Sequence, residues 1–292
     1  MIYSRKAGSV IILIISVFTK FSAQISLNEF LTLTEEQKIK LDIFRELIIS
    51  RLPEDYMKED VYIIRWLRDS NFDIPTAEKR LMNMVSWRQE NQMDTILQED
   101  WAKSDYEFKI YIEGCDRDKK PVISVSVDWD IRRMVISGES KKLMRYIDRT
   151  FEEAEQMARR MIADGQNVTQ LTMMFDLSNF NLIEQACGRC LPIYFHLITT
   201  YQDHFAGLLH KIIIINAPEV FVPLYDALKP ALFKNTRDLI TVLGRDKAHS
   251  LRFLMKEMDK DQLSRKYLGS KKESLDFQEL RDSGEVYRCT NV

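Results

Sequence analysis

Residues 187–190 read Cys-Gly-Arg-Cys, the spacing of a redox dithiol or of half a tetrahedral zinc site. In an oxidoreductase such a pair follows a strand and opens a helix, where the helix end helps to stabilise the thiolate. Here the apolar pattern of "LIEQACGRCLPIYFHLITTYQ" predicts a helix running through the pair, which is the wrong context. No second cysteine pair completes a zinc site, and His196, His204, His210 and His249 form no metal-ligand pattern. "DRDKK" after Cys115 begins like a calcium loop, but Pro121 stands where that loop needs glycine, so a turn into a strand is expected. Asp128 and Asp130 flank Trp129 and read as a solvated turn rather than a catalytic carboxylate pair. There is no Gly-x-Ser-x-Gly, no phosphate-binding glycine loop and no dinucleotide fingerprint. No catalytic residue, metal or cofactor is therefore expected, and the chain is not read as an enzyme.

The 292 residues are 45% hydrophobic and 29% charged, with a net charge of −2. That is ordinary globular composition, and it gives a nucleic-acid role no electrostatic support. Four cysteines (Cys115, Cys187, Cys190 and Cys289) are too few for a disulfide-stapled scaffold and read as a chain from a reducing compartment. The first residues disagree. Arg5 and Lys6 precede an apolar run from Ala7 to Phe18, too short for a spanning helix but suited to a signal-peptide core. Asn167-Val168-Thr169 is a glycosylation sequon only if the chain is secreted.

Three helical stretches come first. In one, Thr34 caps a run carrying Ile39, Phe44, Leu47 and Ile48 roughly on one face; the others carry Val61, Ile64, Trp66 and Leu67, then Leu81, Met84, Val85 and Trp87. After them strands alternate with helices: "KPVISVSV", a long helix over 141–163, "QLTMMFDL", the cysteine-bearing helix, "KIIIIN", a helix over about 221–232, "LITVLG" and a last helix. This alternation predicts an α/β layer on a mainly parallel sheet. Ile212 to Ile215 have no polar face, as befits a central strand covered on both sides, and Pro218 then takes the chain out of the sheet. Phe221, Leu224, Tyr225, Leu228 and Leu232 follow as an apolar stripe at helical spacing. The residues after Ser270 are polar and irregular.

Several stretches together resemble the CRAL-TRIO (sec-fourteen-like) lipid-binding family, and in particular its supernatant-protein-factor-like branch. "VYIIRWLRDSNFDIPTAEKRLMNMVSWR" is similar to the family's amino-terminal helical module. "GCDRDKKPV", "MMFDLSNF", "IIIINAPEVFVPLYDALKPAL", "TVLG" and "DKDQLSRKYLGS" resemble landmarks of its lipid-binding domain, in family order. The last has Leu268-Gly269 where the family usually has a Gly-Gly pair. The expected organisation is an apolar extension over 1–27, a helical module over 30–92, a lipid-binding α/β/α domain over 93–270 and a polar tail over 271–292.

The resemblance implies a closed apolar cavity floored by the sheet and gated by a mobile amphipathic helix. The expected lining is one face of each strand, Val125, Val127, Phe175, Leu177, Ile213 and Ile215, with Ile193 and Leu197 from the preceding helix. The opposite strand faces are the alternative. Phe221, Tyr225, Leu228 and Leu232 would complete the wall from the gate helix, which also carries Leu224; Lys229 and Lys234 flank it as candidate headgroup contacts. Phosphatidylinositol-binding members use a Glu before the central strand and a Lys before the last one. Gly207 and Leu239 occupy those positions here, so a less polar ligand is expected: a tocopherol, squalene, retinoid, sterol-like or other phospholipid-like molecule. Ser124 and Ser126 are further candidates for a head group. The implied activity is non-enzymatic lipid transfer by a monomer that meets membranes transiently, with an adaptor in membrane trafficking as the alternative. The implied location is the cytoplasm, peripherally on membranes, or outside the cell if the first segment is a cleaved signal.

Overall fold

The computed structural model describes residues 31–289, so the apolar extension at 1–27 lies outside the described residues. The first helices are α1 (Glu35–Ile48), α2 (Asp60–Asp69) and α3 (Ile74–Glu90). Two of the three starts carry a side-chain cap. Thr34 and Gln37 close a reciprocal capping box on α1, and Asp73 accepts from the Thr76 amide at the head of α3, next to Pro75. Phe44, Ile48, Ile63, Ile64, Trp66, Leu81 and Met84 share one buried core. The buried line of α1 is Leu41–Phe44–Ile48, whereas Ile39 and Leu47 face solvent. Among the described residues the buried face is thus rotated from the sequence expectation.

The second unit begins with α4 (Ala102–Glu107) and the antiparallel hairpin of β1 (Ile110–Cys115) and β2 (Pro121–Ser126). Its turn is the "DRDKK" segment, where Asp116 accepts from the Lys120 amide and the Thr172 hydroxyl. Then come α5 (Ile131–Ile136), α6 (Ser140–Ala163), β3 (Leu171–Asp176), α7 (Leu182–Gln185) and α8 (Leu191–Thr199). They lead to β4 (Leu209–Ala217), α9 (Val222–Leu228), α10 (Lys234–Leu239), β5 (Ile240–Gly244) and α11 (Lys247–Glu257). Strands β2 to β5 are parallel and neighbours in sequence order, the product of repeated strand–helix–strand crossovers. The fold is the α/β class expected, with a mainly parallel sheet and β1 antiparallel at one side.

The end of the chain departs from the sequence reading. Residues after Ser270 form β6 (Leu275–Asp276), which extends the sheet beside β1, and α12 (Phe277–Ser283), whose Phe277 is buried in the core. The polar pattern hides this because few apolar anchors suffice when an open sheet edge supplies backbone partners. All four cysteines are also paired, Cys115 with Cys289 and Cys187 with Cys190. Cysteine number carries no information about such pairing; the fold brings together residues 174 positions apart.

Two buried ion pairs dock the helical module on α6. Arg65 donates to Glu155 at 2.7 Å and Arg88 to Glu152 at 2.6 Å, with every partner at most 6% exposed. Trp87 stacks on His204, ring centroids 3.7 Å apart. Burial at this junction pushes the imidazole of His204 down to about 4. The folded chain thus holds it neutral while the unfolded chain binds a proton below about 6.5. Stability falls as pH drops from about 6.5 towards 4. His204→Phe is expected to remove a slope on the order of 1–2 kcal/mol, allowing for the ring's partial exposure. Urea unfolding of both proteins at pH 7 and pH 4.5 measures it.

Candidate functional site

Cross-strand register decides which side chains share a sheet face. Val125, Phe175 and Ile214 lie in one row, as do Ile123, Met173, Ile212 and Ile240. This face looks towards α6 and α8, and between them lies an apolar space in two adjoining chambers. Their volumes are about 140 Å³ and 110 Å³, many times what one water molecule needs, so they are cavities rather than packing defects. Val127, Phe151, Met173, Phe175, Tyr194 and Leu197 border both.

The walls offer little polarity. The Thr150 hydroxyl donates to the Tyr146 carbonyl at 2.8 Å, and the Tyr194 hydroxyl to the Gln185 carbonyl at 2.9 Å. Both are satisfied by the protein's own backbone. Such a space disfavours water and favours hydrocarbon.

Most of the expected lining is brought together. Val127, Phe175 and Leu197 touch both chambers, Leu177, Phe221, Tyr225, Leu228 and Leu232 the larger, and Val125 and Ile193 the smaller. Ile213 and Ile215 are corrections. They pack on the other sheet face with Val122, Met174, Leu243 and Leu254, under α11, while Ile212 and Ile214 line the chamber. A shift of one residue exchanges the faces, and an all-isoleucine run gives no hint of which is which. Ser124 is on the same far face, in register with Met174 and Ile213. Ser126 accepts from Lys266 Nζ at 2.9 Å, so neither serine reaches the cavity. Phe151 of α6 and Tyr201 beyond α8 also line the larger chamber; both lie in helical stretches whose cavity-facing side no sequence motif marks.

The segment expected from the sequence to act as a gate is a broken helix. A short 3-10 turn (Glu219–Phe221) precedes α9 and another (Lys229–Ala231) follows it, with Pro218 before and Pro230 within the second. Phe221, Tyr225, Leu228 and Leu232 close the larger chamber; Leu224 is buried in the core beside it but is not part of the wall. Lys229 is exposed, and Lys234 pairs with Asp238 at 2.5 Å. At the root of the segment Asn216 has left-handed backbone, φ 57°, and donates to Asp176 at 2.8 Å. Burial alone would raise Asp176, but hydrogen bonds from Ser178, Lys266 and Asn216 outweigh it and hold the carboxyl at about 2. The exit of the central strand is thus pinned by a carboxylate that stays charged.

Gly207 and Leu239 border one polar recess with Arg65, Arg68, Asp69 and Asn235. Gly207 has φ +71°, and a Cβ there would stand 3.0 Å from that of Arg65. Gly207→Glu is therefore expected to cost about 1–3 kcal/mol, read as a fall in the urea midpoint. The Cys187–Cys190 pair also differs from expectation. It lies between α7 and α8, and Cys190 immediately precedes α8, so it opens a helix rather than lying inside one. Among the described residues no helix is long and apolar enough to cross a membrane, and no group of three or more His, Cys, Asp and Glu side chains could hold a metal.

Comparison with known proteins agrees with this geometry. Patellin-4 of Arabidopsis thaliana is 25% identical over 215 residues, covering 73% of this chain and 38% of the relative. Patellin-2 of the same plant is 23% identical over 219 residues, 74% of this chain and 31% of the relative. Protein ctg-1 of Caenorhabditis elegans is 28% identical over 180 residues, 59% of this chain and 45% of the relative. The chain thus spans less than half the length of these relatives. The crystal structure of Sfh5 superposes with a TM-score of 0.60 at 15% identity, over 75% of this chain and 84% of that one, which establishes a shared fold. The CRAL/TRIO domain model matches residues 105–269, the stretch that builds strands β1 to β5, both chambers and the proline-bracketed α9, and the chain belongs to that family.

Proposed function

We propose that the chain is a non-enzymatic carrier that binds a hydrophobic lipid in the two chambers and exchanges it with membranes through the gate segment. The observation that carries this reading is a carbon-lined cavity whose wall hydroxyls on Thr150 and Tyr194 are already bonded internally, behind a short helix bracketed by prolines. A lipid tail of roughly 16 methylenes gains on the order of 13 kcal/mol on leaving water. A bilayer offers nearly the same, so the carrier needs a dry passage rather than tight binding. Lifting the gate would expose the faces of Phe221, Tyr225, Leu228 and Leu232 to acyl chains. Val220, Val222 and Phe233 already point outward around it, beside the exposed Lys229, which suits transient contact with a membrane surface.

The ligand is weakly polar. Neither Gly207 nor Leu239 donates or accepts through a side chain, so phosphatidylinositol is not held in the manner the resemblance would imply. Transfer of fluorescent sterol, tocopherol and phosphatidylinositol analogues between donor and acceptor vesicles tests the reading. Protein-dependent transfer is expected for the first two and little for the third; no transfer of any would move the assignment to an adaptor.

A further inference from the structure

Two covalent bonds and one asparagine bear on where this chain matures, independently of what the chambers hold. Cys115 ends β1 and Cys289 follows α12; their Cα atoms are 5.7 Å apart across 174 residues of sequence. Cys115 is 3% exposed and Cys190 is 0%, so each disulfide has one sulfur-bearing residue in the core. The approach of Cys289 is built by the fold. β6 pairs with β1, Phe277 is buried, Gln166 Nε2 donates to the Tyr287 carbonyl at 2.8 Å, and Arg288 pairs with Asp164 at 2.8 Å. Those contacts hold the last segment against the loop between α6 and β3 and bring Cys289 to Cys115. With Cys187–Cys190 closed as well, no cysteine is left over. Structural disulfides persist in oxidising compartments and are rare where thiol pools are reducing. The loop that receives the last segment contains Asn167-Val168-Thr169, with Asn167 half-buried. The basic start and apolar run of the first residues, outside the described residues, have the character of a secretory signal.

We infer that the chain matures in the oxidising, glycosylating lumen of the secretory route, leaves it with Cys115–Cys289 and Cys187–Cys190 closed, and carries an N-linked glycan on Asn167. Each disulfide forms when one cysteine thiolate attacks the disulfide of a lumenal protein oxidant and the second cysteine resolves the mixed disulfide. Two S–H bonds are lost, one S–S bond forms, and two electrons and two protons leave with the reduced dithiol of the oxidant. In the glycan step the amide nitrogen of Asn167 displaces the diphosphate of a lipid-linked oligosaccharide from its anomeric carbon and loses one proton. Thr169 is 3% exposed, so this transfer precedes folding, while the sequon is still open.

The test expresses the whole 292-residue chain in cultured animal cells. Thiols are blocked with N-ethylmaleimide before lysis. The medium, vesicle lumen and cytosol are then mapped by peptide mass spectrometry without reduction. The expected result is a chain in the lumen or medium with no alkylated cysteine and with the two linked peptides. A glycosidase-sensitive mass should sit on the Asn167 peptide and disappear in Asn167→Gln. A cytosolic chain with alkylated cysteines would overturn the proposal, as would a cytosolic chain with closed disulfides. A lumenal chain with alkylated Cys115 or Cys289 would overturn the pairing, and one with unmodified Asn167 would overturn the glycan.

Discussion

Leu228→Asp is expected to lower lipid transfer at least tenfold while leaving the protein folded. Leu228 is 7% exposed and closes the larger chamber from the last turn of α9. Burying a leucine contributes about 1.5–3 kcal/mol, which the variant forfeits. A carboxylate in the same place would have to leave water for a wall of carbon, so it holds the gate open or expels the ligand. Each 1.4 kcal/mol lost from the bound state is about a factor of ten. The fold should survive, because α9 is short, bracketed by Pro218 and Pro230, and outside the helical module and the α11 face of the sheet. Ala227→Asp is the control: it lies on the exposed side of the same helix and should transfer normally. Vesicle transfer together with thermal unfolding by circular dichroism separates loss of the gate from loss of the protein. A folded Leu228→Asp protein that transfers at the normal rate would remove the gate from the account.

The second large effect is on stability. Arg88→Met should destabilise the chain by about 3–5 kcal/mol, because it strands Glu152, 4% exposed, with only the longer contact to Arg159 at 3.3 Å. Breaking one side of a buried pair costs more than the pair contributes, since the remaining charge stays desolvated. The double variant Arg88→Met/Glu152→Met should therefore recover much of the loss. Urea unfolding of the two single variants and the double gives the coupling; strict additivity would mean that the pair does not dock the module as described.

How much of this is legible in the sequence depends on whether a property is local. The strand–helix alternation, the capping residue Thr34 and the exit at Pro218 are local, and the structure follows them. Facing is not local. Val125, Val127, Phe175 and Leu177 reach the cavity as expected, yet Ile213 and Ile215 do not, because sidedness in β4 is set by its pairing with β3 rather than by its own composition. The tail hides its structure for a related reason: α12 and β6 have little hydrophobic signal, and their order comes from the edge of β1 and the bond to Cys115. The Cys187–Cys190 pair shows the limit of periodicity. Its flanks are apolar enough to read as one helix, whereas the chain breaks between α7 and α8, and Pro192 in the first turn of α8 is the local sign of that restart. Leu268 stands where the family usually has glycine and adopts left-handed backbone, φ 58°, so the turn is kept at the expense of strain.

The central claim is that the chambers hold a lipid, and lipid mass spectrometry on the protein purified from eukaryotic cells tests it most directly. The account predicts a stoichiometric, weakly polar lipid released on denaturation, with phosphatidylinositol absent or a trace. A well-folded protein that is empty, and stays empty after incubation with mixed liposomes, would contradict it.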